Sequence, residues 1–224
     1  MTRFFIGSAA LVALTACVYT TSSFDTANAE STGDATDLNG VKRLSASAGL
    51  NVEYEVSDAY TIDIEVRRGD IEDVRIERSG DTLEIGRVRK NGWGWGDRLS
   101  ATVTVLGPNL VEVDASSGSD VFVKGISAGD FDVESSSGAD VDIEGTCETL
   151  RADASSGSDI DASALRCVDG NLEASSGADI DAYLTGTVNI DVSSGADATV
   201  EGGARIGSAE KSSGAGYSVK PGPL

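Results

Sequence analysis

The sequence contains no histidine, and its 17 lysines and arginines face 37 aspartates and glutamates, for a formal net charge of −20. The missing imidazole removes the commonest general base, the Ser-His triad and every histidine-ligated metal site. The shortage of cations argues against nucleic acid as a partner, because a polyanion is repelled by phosphate backbones. There are only three prolines, three cysteines and 5% aromatic residues, whereas glycine accounts for 27 of the 224 positions. A chain of this size can bury a core, and small side chains with many turns point to short strands. No apolar run approaches the ~20 residues that a membrane-spanning helix needs.

What the N-terminus does have is an export pattern. Met1-Thr2-Arg3 supplies a positive end, and Phe4 to Leu14 is an apolar run that ends in Leu14-Thr15-Ala16-Cys17. This resembles the lipobox of bacterial lipoproteins, in which small residues precede a cysteine that is lipidated and becomes N-terminal after cleavage. Residues 1–16 are therefore expected to be a lipoprotein signal peptide and Cys17 the attachment point of a membrane anchor. Ala27-Asn28-Ala29 offers an alternative, ordinary secretory cleavage site, but it lies far from the end of the apolar run. Val18 after the cysteine, by resemblance to enterobacterial sorting, favours the outer membrane. Residues 17–40 are rich in Ser, Thr, Asp and Ala without apolar periodicity and read as a tether.

Strict alternation begins at Val41. Val52, Tyr54 and Val56 interleave with Asn51, Glu53 and Glu55, and Ile62, Ile64 and Val66 interleave with Thr61, Asp63 and Glu65. Ser79-Gly80-Asp81 reads as a hairpin turn, and Val103 and Val105 extend the pattern before Pro108 breaks it. Residues 41–110 thus form an expected block of strands with one wet face. Inside it, Gly92-Trp93-Gly94-Trp95-Gly96 holds the only two tryptophans. Trp93 and Trp95 fit a sugar-stacking platform or a membrane contact, and equally a cap folded over the open end of a coil.

Residues 111–224 repeat. Gly118, Gly138, Gly157, Gly177, Gly195 and Gly214 recur at intervals of 18 to 20 residues, inside segments such as VDASSGSDVFV, ADASSGSDIDA and IDVSSGADATV. The last, EKSSGAGYSVK, reads as a terminal cap whose acidic positions are replaced. Near-identical segments at near-equal spacing indicate a solenoid. Counted from each glycine, odd offsets hold Val, Ala, Ser or Ile and even offsets hold Asp, Glu, Ser or the glycine itself, so odd positions are expected to point inward and even ones outward. On that rule Ser117, Ser137, Ser156, Ser176 and Ser194 form an inward hydroxyl stack, and the glycines mark a bend. The expected fold is all-β, a right-handed parallel β-helix-like solenoid with coils of about 19–20 residues, preceded by the alternating strand block.

The GSD/GAD repeats, with the junction VTVLGPNLVEVDASSGSD and the strand block before it, resemble the bacterial head GIN domain family over about residues 41–220. That family is also described as adhesins of the auto-transporter type. The resemblance implies a β-helix-like fold in cell-envelope proteins, many of them lipoproteins, and brings no catalytic residues with it. The C-terminal membrane barrel of a true auto-transporter is not in this sequence.

Stacking in register would line up the acids. Asp120, Asp140, Asp159, Asp179 and Asp197 share one column, Asp142, Asp161 and Asp181 a second, and Asp114, Glu134, Asp153, Glu173 and Asp191 a third. Strands stack ~4.8 Å apart, and carboxylates at that spacing repel by ~1 kcal/mol in water. Calcium would relieve the repulsion at the first two columns, although the spacing is not that of a nine-residue calcium roll. The plainer reading is a solvated face that keeps exposed strands apart from other chains.

Cys147 and Cys167 both lie ten residues before a repeat glycine, Gly157 and Gly177. Adjacent coils in register would put them one strand spacing apart, inside disulfide range, and an exported protein meets an oxidising compartment. No long insertion interrupts the repeats and no acid pair stands out, so the leading reading is a non-catalytic, adhesin-like or ligand-binding envelope lipoprotein with a glycan or cell-surface ligand. A carbohydrate-active β-helix enzyme and a purely structural scaffold are the alternatives.

Overall fold

The structure is a computed structural model and describes residues 37–88 and 99–221. The expectations at Cys17 and at Trp93 and Trp95 lie outside the described residues. Among the described residues, fifteen strands form one sheet. They are β1 (Arg43–Ala46), β2 (Asn51–Val56), β3 (Thr61–Arg68), β4 (Val74–Ser79), β5 (Thr82–Arg87), β6 (Ser100–Gly107), β7 (Glu112–Ser116), β8 (Asp120–Ser136), β9 (Asp140–Ser155), β10 (Asp159–Ser175), β11 (Asp179–Leu184), β12 (Thr187–Val192), β13 (Asp197–Glu201), β14 (Arg205–Lys211) and β15 (Gly216–Val219). One turn of 3-10 helix, Ile71–Asp73, joins β3 to β4.

Each coil climbs by parallel pairing onto the next, as in the contacts of β8 with β9 and of β9 with β10. Alternation of buried and exposed residues breaks where a coil bends. In β10 two such breaks, at Ser163-Ala164 and Val168-Asp169, each leave two successive residues outside. The third bend is the Ser-Gly corner. At Ser136-Ser137-Gly138-Ala139 the Ala139 N–H donates to the Ser136 carbonyl at 3.3 Å, and both central residues have positive φ, 58° and 69°. That is the backbone of a type I′ turn, in which glycine takes the second left-handed position without the cost a Cβ carries there.

The corner overturns one expectation. Ser117, Ser137, Ser156, Ser176 and Ser194 do not point inward; all are exposed at the tips of these turns with φ between 55° and 60°. Two left-handed residues in a row rotate the chain, so the period-two rule holds on either side of the corner and fails at the residue before the glycine. The serines that are buried are Ser119, Ser135 and Ser158. Ser135 Oγ donates to the Ala139 carbonyl at 2.8 Å, and Ser158 Oγ donates to the Ser135 carbonyl at 2.7 Å while accepting from the Ser155 N–H.

A seventh corner exists that the repeat count did not include. Ala48 and Gly49 both have φ of 70°, β1 pairs in register with β7, and β2 pairs with β8. Residues 43–56 thus form two sides of a further coil stacked directly on the repeats, and the strand block is continuous with the solenoid. On the far side of this coil lie β5 and β6, parallel to β1 and β2. Antiparallel β4 and β3 close that end, with Ile62, Ile64, Val66, Val74 and Ile76 packed against the core. The interior is a narrow column of Val, Ile, Leu and Ala, with Tyr54 and Phe131 the largest buried side chains. Tyr54 donates from its hydroxyl to the Pro108 carbonyl at 2.6 Å, and burial raises its pKa well above the ordinary phenol value.

Candidate functional site

Two outward sides of the coil flank the Ser-Gly corner, and both carry carboxylates. On the side after the corner, Asp120, Asp140, Asp159, Asp179 and Asp197 are partners in successive strand pairs. Asp142, Asp161 and Asp181 line up two residues further on, below Phe122. All eight aspartates are exposed. Among the described residues no group of three or more such side chains is arranged to hold a metal ion.

On the side before the corner the ladder extends one residue beyond the five expected from the repeat. Asp114, Glu134, Asp153, Glu173, Asp191 and Glu210 are successive register partners. Glu210 belongs to the last repeat, which keeps an acid here, contrary to the expectation that its acidic positions are replaced. Offset −4 from Gly214 was the signal available. Burial raises the pKa of Asp114 above the ordinary carboxylate value, opposed by a hydrogen bond from Ser45. Glu134 is raised by burial first and then by Asp114, Asp153, Glu112 and Asp132. Asp142 on the other side, though exposed, is raised first by partial desolvation against the coil wall and then by Asp161, Asp140, Asp120 and Glu144.

A second column beside this ladder was not singled out from the sequence. Glu112, Asp132, Arg151 and Asn171 occupy it. Together the two columns line a surface groove of about 360 Å³, with Arg151 in its wall. Arg151 Nη1 lies 3.3 Å from Asp132 Oδ1, with side chains about half exposed at 54% and 45%. Water therefore screens the pair, which contributes little to stability. A smaller groove on the other side is lined by Glu53, Phe122 and Lys124, with the Lys124 ammonium 4.4 Å from the Phe122 ring centre.

The third side carries the cysteines. Cys147 and Cys167 are register partners on β9 and β10, are bonded through sulfur with Cα atoms 4.5 Å apart, and are buried to 7% and 2% exposure. They occupy an interior column between Ala128 and Leu184, so the bond joins two adjacent coils from within. Among the described residues no helix is long and apolar enough to cross a membrane.

Comparison with known proteins matches this architecture. Among solved structures, a "putative adhesin" from Bacteroides fragilis NCTC 9343 is similar with a TM-score of 0.61 at 15% identity, over 80% of this chain and 92% of that one. A "putative lipid binding protein" from Parabacteroides distasonis ATCC 8503 aligns over 80% of this chain and 93% of that one at 15% identity, with a TM-score of 0.46. Comparison with curated proteins gives no match. At these identities the likeness to the Bacteroides protein is one of fold. The family model described as "Putative auto-transporter adhesin, head GIN domain" matches residues 41–204, all seven corners but the last. The chain belongs to the head GIN domain family.

Proposed function

We propose that this chain is an exported, lipid-anchored, non-catalytic envelope module whose acidic ladders hold a basic or cation-bearing surface ligand. The observation that carries the reading is the unbroken run of six carboxylates from Asp114 to Glu210, with no cation in the column. Neighbours in such a run repel by ~1 kcal/mol per pair in water at a strand spacing of ~4.8 Å. A fold gains nothing from that repulsion, whereas a cationic partner relieves it at every step. The lipobox-like Leu14-Thr15-Ala16-Cys17 supports anchoring at Cys17, and membership of an adhesin-type family supports a ligand at a cell surface or on a glycan. Trp93 and Trp95 are the glycan-contact candidates in this reading.

The test is binding of the full chain to amine-bearing and carboxylate-bearing beads across a salt series, with the triple variant Glu134→Gln, Asp153→Asn, Glu173→Gln beside it. The expected result is salt-sensitive retention on amine beads, reduced in the triple variant even as its melting temperature rises. Unchanged retention in the triple variant would refute the ladder as the binding element.

The enzyme reading has one observation in its favour, the groove in which Arg151 stands beside Glu134 and Asp153. The same carboxylates continue above and below it, and its Arg151–Asp132 pair is solvated. Depolymerisation of an acidic polysaccharide by the full chain, abolished by Glu134→Gln, would establish that reading in place of the first.

A further inference from the structure

We propose that copies of this chain stack end to end, β15 of one copy adding to β3 of the next. Among the described residues the sheet has four strands with one unpaired edge, β3 and β4 at one end and β14 and β15 at the other. An open edge presents backbone N–H and C=O groups that can template pairing with another chain. Here both ends are built on the same two sides of the coil, β3 and β15 on the side after the corner and β4 and β14 on the side before it.

The register columns make the fit specific. Tyr217 heads a column that descends through Ala198, Ile180, Ile160, Val141, Val121, Val52 and Val103 and ends at Ile64. Ser218, in the adjacent outward column, corresponds in the same way to Asp63. Because β3 runs against the stack, β15 of a second copy continuing the columns would pair with it antiparallel. That places Tyr217 on Ile64 and Val219 on Ile62. Tyr217 is 37% exposed and Ile206 of the same coil is 48% exposed, while Ile62 and Ile64 are only partly covered. Apolar surface is thus left open at both ends, at positions that coincide.

Charge selects unlike ends. The last coil, residues 205–220, holds Arg205, Lys211 and Lys220 against Glu210, a net +2 in a chain of −20, and of these Lys220 is paired at 3.0 Å with Glu201 of the coil below, so Arg205 and Lys211 carry the excess. Residues 61–79 at the opposite end hold six acids and four bases, a net −2. Lys211 occupies a column filled one coil below by the buried Val192, and its ammonium lies 5.7 Å from the Tyr217 ring centre, on the open end. Two tails repel and two heads repel, whereas head and tail attract. A head-to-tail contact that continues the coil columns along their own axis repeats by translation, so it propagates as a filament instead of closing a ring.

The test uses full chains carrying Cys17→Ser, one with Ser218→Cys and the other with Asp63→Cys. Mixed under mild oxidation, they should give a cross-linked product of doubled mass that neither gives alone and that is lost in high salt. Arg205→Glu with Lys211→Glu, which turns the tail from +2 to −2 and leaves the Lys220–Glu201 pair in place, should abolish that product while circular dichroism stays unchanged. Sedimentation of the chain without the added cysteines should show mass rising with concentration. A monomer at every concentration, a product from Ser218→Cys alone, or a product that survives the tail reversal would each overturn the proposal.

Discussion

Removing the Cys147–Cys167 bond should lower the stability of the solenoid by an amount set by the loop it closes. The two cysteines are separated by 20 residues. Cross-linking a loop of that length removes unfolded-chain entropy equivalent to ~3.3 kcal/mol at room temperature. The native side adds little to the cost, because the Cα atoms stand 4.5 Å apart at the ordinary spacing of paired strands. For an ordered body of this size the unfolding entropy is ~0.4 kcal/mol per kelvin, so the melting temperature should fall by about 8 °C. The assay is thermal unfolding followed by circular dichroism on the oxidised chain, the reduced chain and Cys147→Ala with Cys167→Ala. The reduced and doubly substituted chains should melt close together, both below the oxidised one. Non-reducing mass spectrometry of the same samples should find no free thiol at either position in the oxidised chain. Equal melting temperatures in all three, or two free thiols after oxidative refolding, would refute the reasoning.

The carboxylates Asp114, Glu134 and Asp142 are raised above their ordinary values of 3.8, 4.5 and 3.8, chiefly by burial. A group with a raised native pKa stabilises the fold fully below its unfolded value, and that stability is lost as pH rises through the native value. The urea midpoint should therefore increase as pH falls from neutrality toward the ordinary values of 3.8 and 4.5, and Glu134→Gln should flatten the slope; a midpoint that drops over this range would contradict it. At Gly145 an added Cβ would sit 2.2 Å from the Ile126 carbonyl oxygen with φ at 147°, whereas at Gly129 it would meet nothing within 4 Å. Gly145→Ala should cost about 3 kcal/mol and Gly129→Ala nothing measurable, read from urea midpoints; equal midpoints would mean the bend is placed elsewhere. Calcium and sodium at equal ionic strength should raise the melting temperature alike if the ladders are only screened. A larger shift with calcium would show that the Asp120 or Asp142 column chelates.

The repeat was legible because its period and its alternation agree. Val, Ile and Ala at odd offsets line the interior, acids at even offsets stand in columns, and the coil register brings Cys147 opposite Cys167. The serine before each glycine was misplaced because period two assumes an extended chain, whereas Ser137 and Gly138 are both left-handed. The first coil was missed for a different reason. Its corner, Ser47-Ala48-Gly49-Leu50-Asn51, keeps only the glycine and one serine of the motif, and residues 57–111 separate it from the coil it stacks on. Glycine with one small residue before it is the only part of the motif this corner shares with the others, and an insertion breaks the spacing. The Arg151 groove was not legible, because it arises from two columns side by side, and the sequence shows each column only at intervals of a whole coil.

Adhesion of whole cells displaying the chain tests the central claim most directly. In a bacterium with the lipoprotein pathway, the wild-type chain should bind cells to an amine-bearing surface and release them in high salt. The triple variant Glu134→Gln, Asp153→Asn, Glu173→Gln should stay in the envelope yet lose adhesion, whereas Cys17→Ala should lose adhesion because the protein leaves the envelope. Cells carrying the triple variant at wild-type levels and adhering as strongly as wild type would contradict the account.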